Sequence, residues 1–365
     1  MENVSESFQE FKEKYEKIAQ NTKRHHWIPQ FYLKFFAANE GGNQIYMYQP
    51  GNNPLLVSIA NIATSKDLYT FEEKDTGQKT RVMEGVFAEH EGAVAAVLAE
   101  IIRIGNLPAT ERERSDIAAF VSLLRVRGPS FNEWLKNMDI GHIKLLQKIQ
   151  TEHPDSLREK FKQAGVSFSS NEEFEEMRKF MQDPNKYSIT MEGGEGHYFK
   201  QAMDLSKEIY EILMSKKSWH LLIAPHNRHF ITSDNPVVTQ EPAFCPPHIA
   251  GGVLNGTVLL TISPKYCLSF RRIPLNSHNL LLTRDDVNHI NRSIASAARR
   301  QLYGHLNSKD WAILCNEYLT GDESKVIIEK LAPFAPYYML QGTVQLKEAD
   351  ALKNNSVTPT HVPQS

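Results

Sequence analysis

Residues 25–36 read HHWIPQFYLKFF and place two histidines directly before Trp-Ile-Pro and a nearly all-apolar, aromatic segment. Proline fixes φ near the helical value and has no N–H to donate, so Pro29 suits the first position of a helix. The residue before a proline is held extended, which puts Ile28 and both histidines just outside that helix. We therefore predict a helix that begins at Pro29 and packs its aromatic side chains in the core.

The two histidines lie at the positive end of this helix. Lys23 and Arg24 come just before His25 and His26, and this setting disfavours imidazolium. A neutral imidazole ring can ligate a metal ion or act as a base. Along an extended segment successive side chains point to opposite sides, so only one histidine is expected to face a given site. The alternative is that His26 accepts a backbone N–H at the helix start, although histidine is not a usual cap.

The second distinctive stretch is FITSDNPV at residues 230–237. An aspartate usually folds a turn by accepting the N–H two residues further on, but here that residue is Pro236, which has none. The motif therefore suits a carboxylate mounted at a strand end, where scaffolds commonly carry function. The alternative is a buried turn in which Asp234 accepts from more distant backbone amides or from Arg127.

The hydrophobic pattern of the chain predicts an α+β fold, mainly helical, with a small antiparallel sheet from the C-terminal half. Residues 43–60 have the pattern of a hairpin around a Pro-Gly-Asn-Asn-Pro turn. Two long helices follow, which we expect to form an antiparallel pair: one ends at Gly105, and the next begins near Pro108 and Thr110. Thr283 is the predicted N-cap of a further helix over residues 283–307.

Three regions are predicted along the chain. Residues 1–24 form an amphipathic helix, with Phe8, Phe11, Tyr15 and Ile18 at helical spacing. Residues 25–345 form one large domain, helical over about 80–217 and sheet-rich over about 218–335. The stretch DWAILCN at 310–316 is predicted as a strand, and the polar tail 346–365 as disordered.

The composition excludes several classes of function. The chain has 41 basic and 43 acidic residues, so no overall positive field attracts nucleic acid. No leader pattern and no apolar run of membrane-spanning length is present, which predicts a cytoplasmic protein without membrane contact; its partners are unknown. Cys245, Cys267 and Cys315 have neither disulfide-framework nor zinc-finger spacing and are expected to be reduced and buried. Walker, Gly-x-Gly-x-x-Gly, Gly-x-Ser-x-Gly and His-Glu-x-x-His motifs are absent from the sequence.

Five stretches of the chain, in order, resemble a family of bacterial proteins known as a domain of unknown function. They are HHWIPQFYLKFFA, RGP, FITSDNPV, ISPKYCLSF and INRSIASAARRQLYG, and they span about residues 25–304. The family hallmarks are a His-His-x-x-Pro-x-x-Tyr-Leu start and a central Ser-Asp-Asn-Pro motif. The resemblance implies no established activity but implies which residues to suspect: His25, His26, Pro29, Tyr32, Leu33, Glu84, Glu91, Arg127, Pro129, Ser233, Asp234, Asn235, Pro236 and Asn291.

Glu84 and Glu91 are seven residues apart on one predicted helix face, with roughly 10 Å of axial rise between them. This separation is too large for one metal ion without help from another element. Gly85 and Gly92 make a neighbouring face small enough for another helix or a ligand to approach. Arg127 is the natural cationic partner of these glutamates, and it would equally clamp a phosphate or carboxylate ligand. Ordinary surface salt bridges are the alternative explanation.

These observations lead to a hypothesis of a metal-dependent hydrolase, such as a phosphodiesterase or nuclease. Its catalytic residues would be His25, His26, Asp234 and Arg127, and its substrate-binding residues Tyr32, Ser233, Asn235 and Asn291. The ligands of a divalent Mg²⁺, Mn²⁺ or Zn²⁺ ion would be Glu84, Glu91 and Asp234. The hypothesis predicts that a histidine, Glu84, Arg127 and Asp234 lie together and that Asp234→Asn leaves the fold intact. The alternative is a non-catalytic recognition or ligand-binding module of a stress or defence system.

Overall fold

The computed structural model describes residues 12–19, 24–66, 71–72, 79–80, 82–183, 186–189, 194–240 and 252–319. In these residues the fold is α+β and mainly helical, as predicted. The helices are α1 (residues 12–19), α2 (Gln30–Lys34), α3 (Val82–Ile104), α4 (Glu111–Val126), α5 (Pro129–Thr151), α6 (Pro154–Gln163), α7 (Asn171–Gln182), α8 (Gly194–Ser215), α9 (Gly252–Asn255), α10 (Arg284–Ala297) and α11 (Lys309–Tyr318). The strands are β1 (Arg24–His26), β2 (Gln44–Tyr48), β3 (Leu55–Ser58), β4 (Thr64–Lys66), β5 (Phe71–Glu72), β6 (Lys79–Thr80), β7 (Ser218–Ile223), β8 (Thr232–Ser233), β9 (Val237–Gln240), β10 (Thr257–Thr261), β11 (Tyr266–Arg271), β12 (Asn279–Leu281) and β13 (Leu302–Gly304).

The C-terminal half forms a five-stranded sheet in the order β12-β7-β11-β10-β9. Its strand pairs are antiparallel, as predicted, except that β12 runs parallel to β7. Neighbouring residues of β10 and β11 are buried on opposite faces, because side chains alternate along a strand. Leu260 and Leu268 join one hydrophobic cluster, and Leu259 and Cys267 join a second. The sheet is therefore covered on both faces, which explains its almost continuous apolar strands.

A second, four-stranded sheet joins distant parts of the chain in the order β3-β2-β13-β8. The predicted hairpin β2–β3 is present. On its other edge β2 pairs with β13, with Leu302 opposite Tyr48. The prediction of one helix over residues 283–307 is wrong in its last third. Thr283 does cap α10, but the helix ends at Ala297 and the chain becomes extended at Ala298. Strand pairing across more than 250 residues overrides the local helical pattern here.

The long helices α3 and α4 pack against each other as predicted. Gly105 has a φ of +72°, the left-handed conformation that commonly ends a helix, and it follows the last residue of α3. Thr110 caps α4: its hydroxyl accepts from the Glu113 amide while the Glu113 carboxylate accepts from the Thr110 amide. Helix α4 also packs against α8.

The segment predicted as a strand at residues 310–316 is instead helix α11. Ser308 caps this helix by accepting from the Trp311 amide. Trp311 and Cys315, four residues apart, are buried on its inner face, whereas Ile313 is 57% exposed. A short apolar run fits a strand and a helix equally well, and here the cap and the burial at helical spacing identify the helix.

The N-terminal helix α1 lies against α3. A Cβ atom built on Gly85 would lie 2.2 Å from the backbone oxygen of Tyr15, so the glycine permits the close approach that its small size suggested. Phe8, Phe11, Cys245 and the 346–365 tail lie outside the described residues, and the domain division stays a prediction. Cys267 and Cys315 are free and buried, as predicted. No helix in the described part of the chain is long and apolar enough to cross a membrane.

Candidate functional site

The His-His-x-x-Pro motif spans a short strand and a helix start. His25 and His26 belong to β1, which pairs antiparallel with β4. Pro29 is the N-cap of α2, with ψ at 141°, so the helix begins one residue later than predicted, at Gln30. His25 is fully buried, while His26 is partly exposed.

A cleft with a volume of about 300 Å³ opens between this motif and α3. It contains four of the polar side chains proposed from the sequence, namely His26, Glu84, Glu91 and Arg127. Its lining consists of His26, Pro29, Gln30, Phe31, Glu84, Phe87, Ala88, Glu91, Gly92, Ala95 and Arg127. Gly92 thus lies beside open space, as a small residue next to a ligand site should.

Glu84 is the most perturbed acid of the cleft. Its side chain is only 17% exposed, and its Oε2 atom lies 3.9 Å from Nδ1 of His25. The pKa of Glu84 is raised to about 7, mainly by burial and also by the nearby Glu91 carboxylate, while the charge of Arg127 opposes the shift. Glu84 is therefore present in both protonation states near neutral pH, which suits a general acid or base.

Arg127 lines the cleft and connects two of its segments by hydrogen bonds. It is 3% exposed, and its Nη1 atom donates to Oε1 of Glu91 at 2.6 Å, the ion pair that the sequence suggested. Its Nε atom donates to the backbone oxygen of Trp27 at 2.7 Å. Two sides of the guanidinium are thus held by the protein, and the arginine fixes Glu91 and the histidine segment relative to each other.

The Ser-Asp-Asn-Pro motif is engaged elsewhere. The two oxygens of Asp234 accept from the backbone amides of Arg299 at 2.8 Å and Arg300 at 2.7 Å, and the residue is 8% exposed. This is the alternative that the sequence left open, a carboxylate bound to distant backbone amides. Ser233 accepts from the Asn235 amide, and Asn235 donates to the Ala297 carbonyl at the end of α10.

Tyr32 and Asn291 also connect elements. The Tyr32 hydroxyl donates to the Thr261 carbonyl at 2.7 Å and contacts the Thr232 hydroxyl at 2.8 Å, and burial raises its pKa. Asn291 accepts from the Ile231 amide and donates to the His229 carbonyl. The four side chains predicted to bind substrate, Tyr32, Ser233, Asn235 and Asn291, are therefore satisfied by the protein and do not line the cleft.

The predicted convergence is present except for Asp234. The histidines, Glu84, Glu91 and Arg127 meet around the cleft, whereas Asp234 does not line it. The Trp27 indole donates to the backbone oxygen of Asp234 at 3.1 Å. In the described residues, no group of three or more His, Cys, Asp or Glu side chains is arranged to hold a metal ion.

Sequence reasoning missed several residues of this site. Gln30 and Phe87 line the cleft, and Trp27 links its two motifs. Trp27 stands at the first free position of His-His-x-x-Pro, and its place inside that motif was the available signal. Phe87 lies three residues after Glu84, on the same helix face, which helical spacing would have revealed.

Comparison with known proteins identifies the family. The sequence profile of the family described as "Protein of unknown function (DUF4238)" matches residues 24–308, well over half of the chain. The chain belongs to the DUF4238 family. No curated protein and no solved structure gives a significant match. The matched range contains every residue of the cleft and the whole Ser-Asp-Asn-Pro motif of this DUF4238 member.

Proposed function

We propose that the cleft is the acid–base centre of a hydrolase that acts on a small molecule. The observation that carries this proposal is the convergence of two histidines, two glutamates and a buried arginine, from three separate segments, around one opening. Titratable side chains gathered in a cleft are the arrangement expected of a catalytic site. A purely structural cluster would be closed, as it is at Asp234, whereas the Arg127–Glu91 pair borders an open cleft.

Glu84 is the proposed general acid and base. With a pKa of about 7 it gives up and regains a proton near neutral pH, as hydrolysis requires. His26, which lines the same cleft, is the second proton-transfer group, and His25 lies behind Glu84. Arg127 is a positioning residue: it fixes Glu91 beside Glu84, although its own charge opposes the rise in the pKa of Glu84.

The properties of the cleft favour a small, uncharged substrate such as an ester or amide. A volume of about 300 Å³ is at the lower end of small-molecule sites. The two glutamates would repel a phosphate group, and Arg127 is already bound to Glu91 and Trp27. A nuclease or phosphodiesterase, the more specific hypothesis from the sequence, is therefore not the reaction that we propose.

A divalent cation stays a prediction. Asp234, the third ligand predicted from the sequence, has both oxygens bound to backbone amides. In this cleft the ligands would be Glu84 with Glu91 or His26, and water would complete the coordination sphere, as is common for Mg²⁺. Arg127, 2.6 Å from Glu91, disfavours a second positive charge at that carboxylate. The proposed proton transfers therefore rely on Glu84 and His26 alone.

Hydrolysis of p-nitrophenyl acetate at pH 7 tests the proposal, first in EDTA and then with Mg²⁺, Mn²⁺ or Zn²⁺. We expect turnover in EDTA that falls by about 10²-fold or more in Glu84→Gln and His26→Gln. The matched control is Glu89→Gln, on the same helix but outside the cleft and bound to Lys14. It should retain full activity.

Turnover that requires an added ion would restore the metal-dependent version of the site. Equal turnover in Glu84→Gln and in the control would remove Glu84 from the reaction. If folded protein hydrolyses neither this ester, nor the amide p-nitroacetanilide, nor bis-p-nitrophenyl phosphate, the non-catalytic ligand-binding module becomes the better explanation.

A further inference from the structure

A second cleft lies beside α10 and α11. Its volume is about 400 Å³, larger than that of the first cleft. One wall comes from the loop after β7 and from α10, including Arg228 and Arg292. The facing wall comes from α11, including Asp310, Trp311 and Glu317. None of these residues belongs to the proposed hydrolytic site.

The two walls carry opposite charges. Both arginines stand on the loop and α10, whereas both acids stand on α11. In the part of the chain that the structure describes, no ion pair joins either arginine to either acid. Because the opposite charges form no ion pair with each other, the cleft has room for a ligand that carries both charges.

The cationic wall is held in place. Asn291 of α10 donates to the His229 carbonyl at 2.9 Å, which fixes the loop that carries Arg228. The Nε atom of Arg228 is buried and has no hydrogen-bond partner within the described residues. A buried donor of this kind is costly unless a ligand or water accepts a hydrogen bond from it. The arginine is therefore suited to bind an anionic group.

Aromatic rings give the cleft an apolar part. His229 packs edge-on against His305 with 4.6 Å between ring centroids, and His305 lies 5.8 Å from the Trp311 ring. Burial lowers the pKa of His229, and it lowers that of His305 to about 4, so both rings are neutral at pH 7. Trp311, Leu306 and Leu314 therefore offer a surface for an apolar side chain.

We propose that this cleft binds a zwitterionic molecule of amino-acid size with an apolar side chain. Its carboxylate lies at Arg228 and Arg292, its ammonium at Asp310, and its side chain on Trp311 and Leu314. Arginine binds carboxylates with two parallel hydrogen bonds, which gives the site its orientation. The inference does not depend on the hydrolytic function of the first cleft.

Isothermal titration of the full chain with L-leucine tests this proposal. N-acetyl-L-leucine, which lacks the ammonium, and L-leucinamide, which lacks the carboxylate, are the matched probes. We expect each to bind at least about tenfold more weakly than L-leucine, because each loses one charge-assisted contact. Arg228→Gln and Asp310→Asn should each weaken L-leucine binding to a similar extent, and the control Arg284→Gln, on α10 but outside the cleft, should not.

Melting curves of each variant confirm that a loss of binding is not a loss of fold. No heat of binding with L-leucine, L-phenylalanine or L-methionine would overturn the proposal. Equal binding of L-leucine and both blocked derivatives would show that the paired charges are not the basis of recognition. Unchanged binding in folded Arg228→Gln and Asp310→Asn would place the ligand elsewhere and would also overturn it.

Discussion

At the scale of single residues, Glu84 links the stability of the protein to pH. Its pKa is about 7 in the folded chain and 4.5 when unperturbed, so the folded state holds the proton more tightly. The stabilising contribution of the protonated form is complete below pH 4.5 and is lost as the pH rises through 7. Glutamine cannot ionise, so Glu84→Gln should escape this loss.

We therefore expect Glu84→Gln to become more stable than the wild type as the pH rises. Between pH 5 and pH 8 its advantage in free energy of unfolding should grow by on the order of 1–2 kcal/mol, allowing for partial exposure of the side chain. Urea denaturation at both pH values measures it, with the exposed Glu89→Gln as the control. If the wild-type and Glu84→Gln curves stay parallel, the pKa of Glu84 is not raised.

The residues suspected from the sequence have divided into two groups for a physical reason. Motif chemistry and the family resemblance singled out the polar residues among them, but neither could distinguish a group that faces a cleft from one that faces the backbone. Glu84, Glu91 and Arg127 meet at the cleft, whereas Asp234 and Tyr32 are satisfied by amides and carbonyls. Their partners come from distant segments, which a single sequence does not reveal.

At the scale of elements, Asp234 holds the end of α10 against β8. Its two oxygens accept from the Arg299 and Arg300 amides immediately after the helix. Asparagine would place an NH₂ group where a second N–H already points, leaving a buried donor unsatisfied. This geometry reverses the expectation from the sequence that Asp234→Asn leaves the fold intact.

We expect Asp234→Asn to lower the free energy of unfolding by about 1–3 kcal/mol. Thermal denaturation measures the change, and Asp285→Asn, an exposed acid in the first turn of α10, is the matched control. A melting temperature equal to that of the wild type would show that the two amide contacts contribute little. Asp234 would then return to the list of site residues.

Elements with strong local signals were predicted well, and those defined by distant partners were not. The helices α3 and α4 carry a Gly105 terminus and a Thr110 capping box, and the β2–β3 hairpin carries its own turn. In contrast, β13 exists because β2 and β8 pair with it from far along the chain. Local periodicity contains no information about such partners.

At the scale of the whole molecule, the β2–β13 pair ties the N-terminal segment to the C-terminal half. Ile45 on β2 and Leu302 on β13 are fully buried and belong to different hydrophobic clusters. If the four-stranded sheet unites these clusters, a cavity in either should destabilise the entire fold. The sequence predicted one large domain but not this sheet.

We expect Ile45→Ala and Leu302→Ala each to cost about 2–4 kcal/mol and to lower the same single unfolding transition. Far-ultraviolet circular dichroism and tryptophan fluorescence, followed together during heating, measure this. Leu55→Ala on the neighbouring strand β3, 52% exposed in the wild type, should have little effect. Two separate transitions, each sensitive to only one variant, would contradict the single domain.

Trp27 also gives the protein an optical reporter at the junction of its two motifs. Its carbonyl accepts from Arg127 at the cleft, and its indole N–H donates to the Asp234 backbone. Indole emission responds to hydrogen bonding and local polarity. A variant that keeps Trp27 and replaces Trp134, Trp219 and Trp311 by phenylalanine would therefore display movement between the motifs as a shift in emission wavelength, without an attached dye.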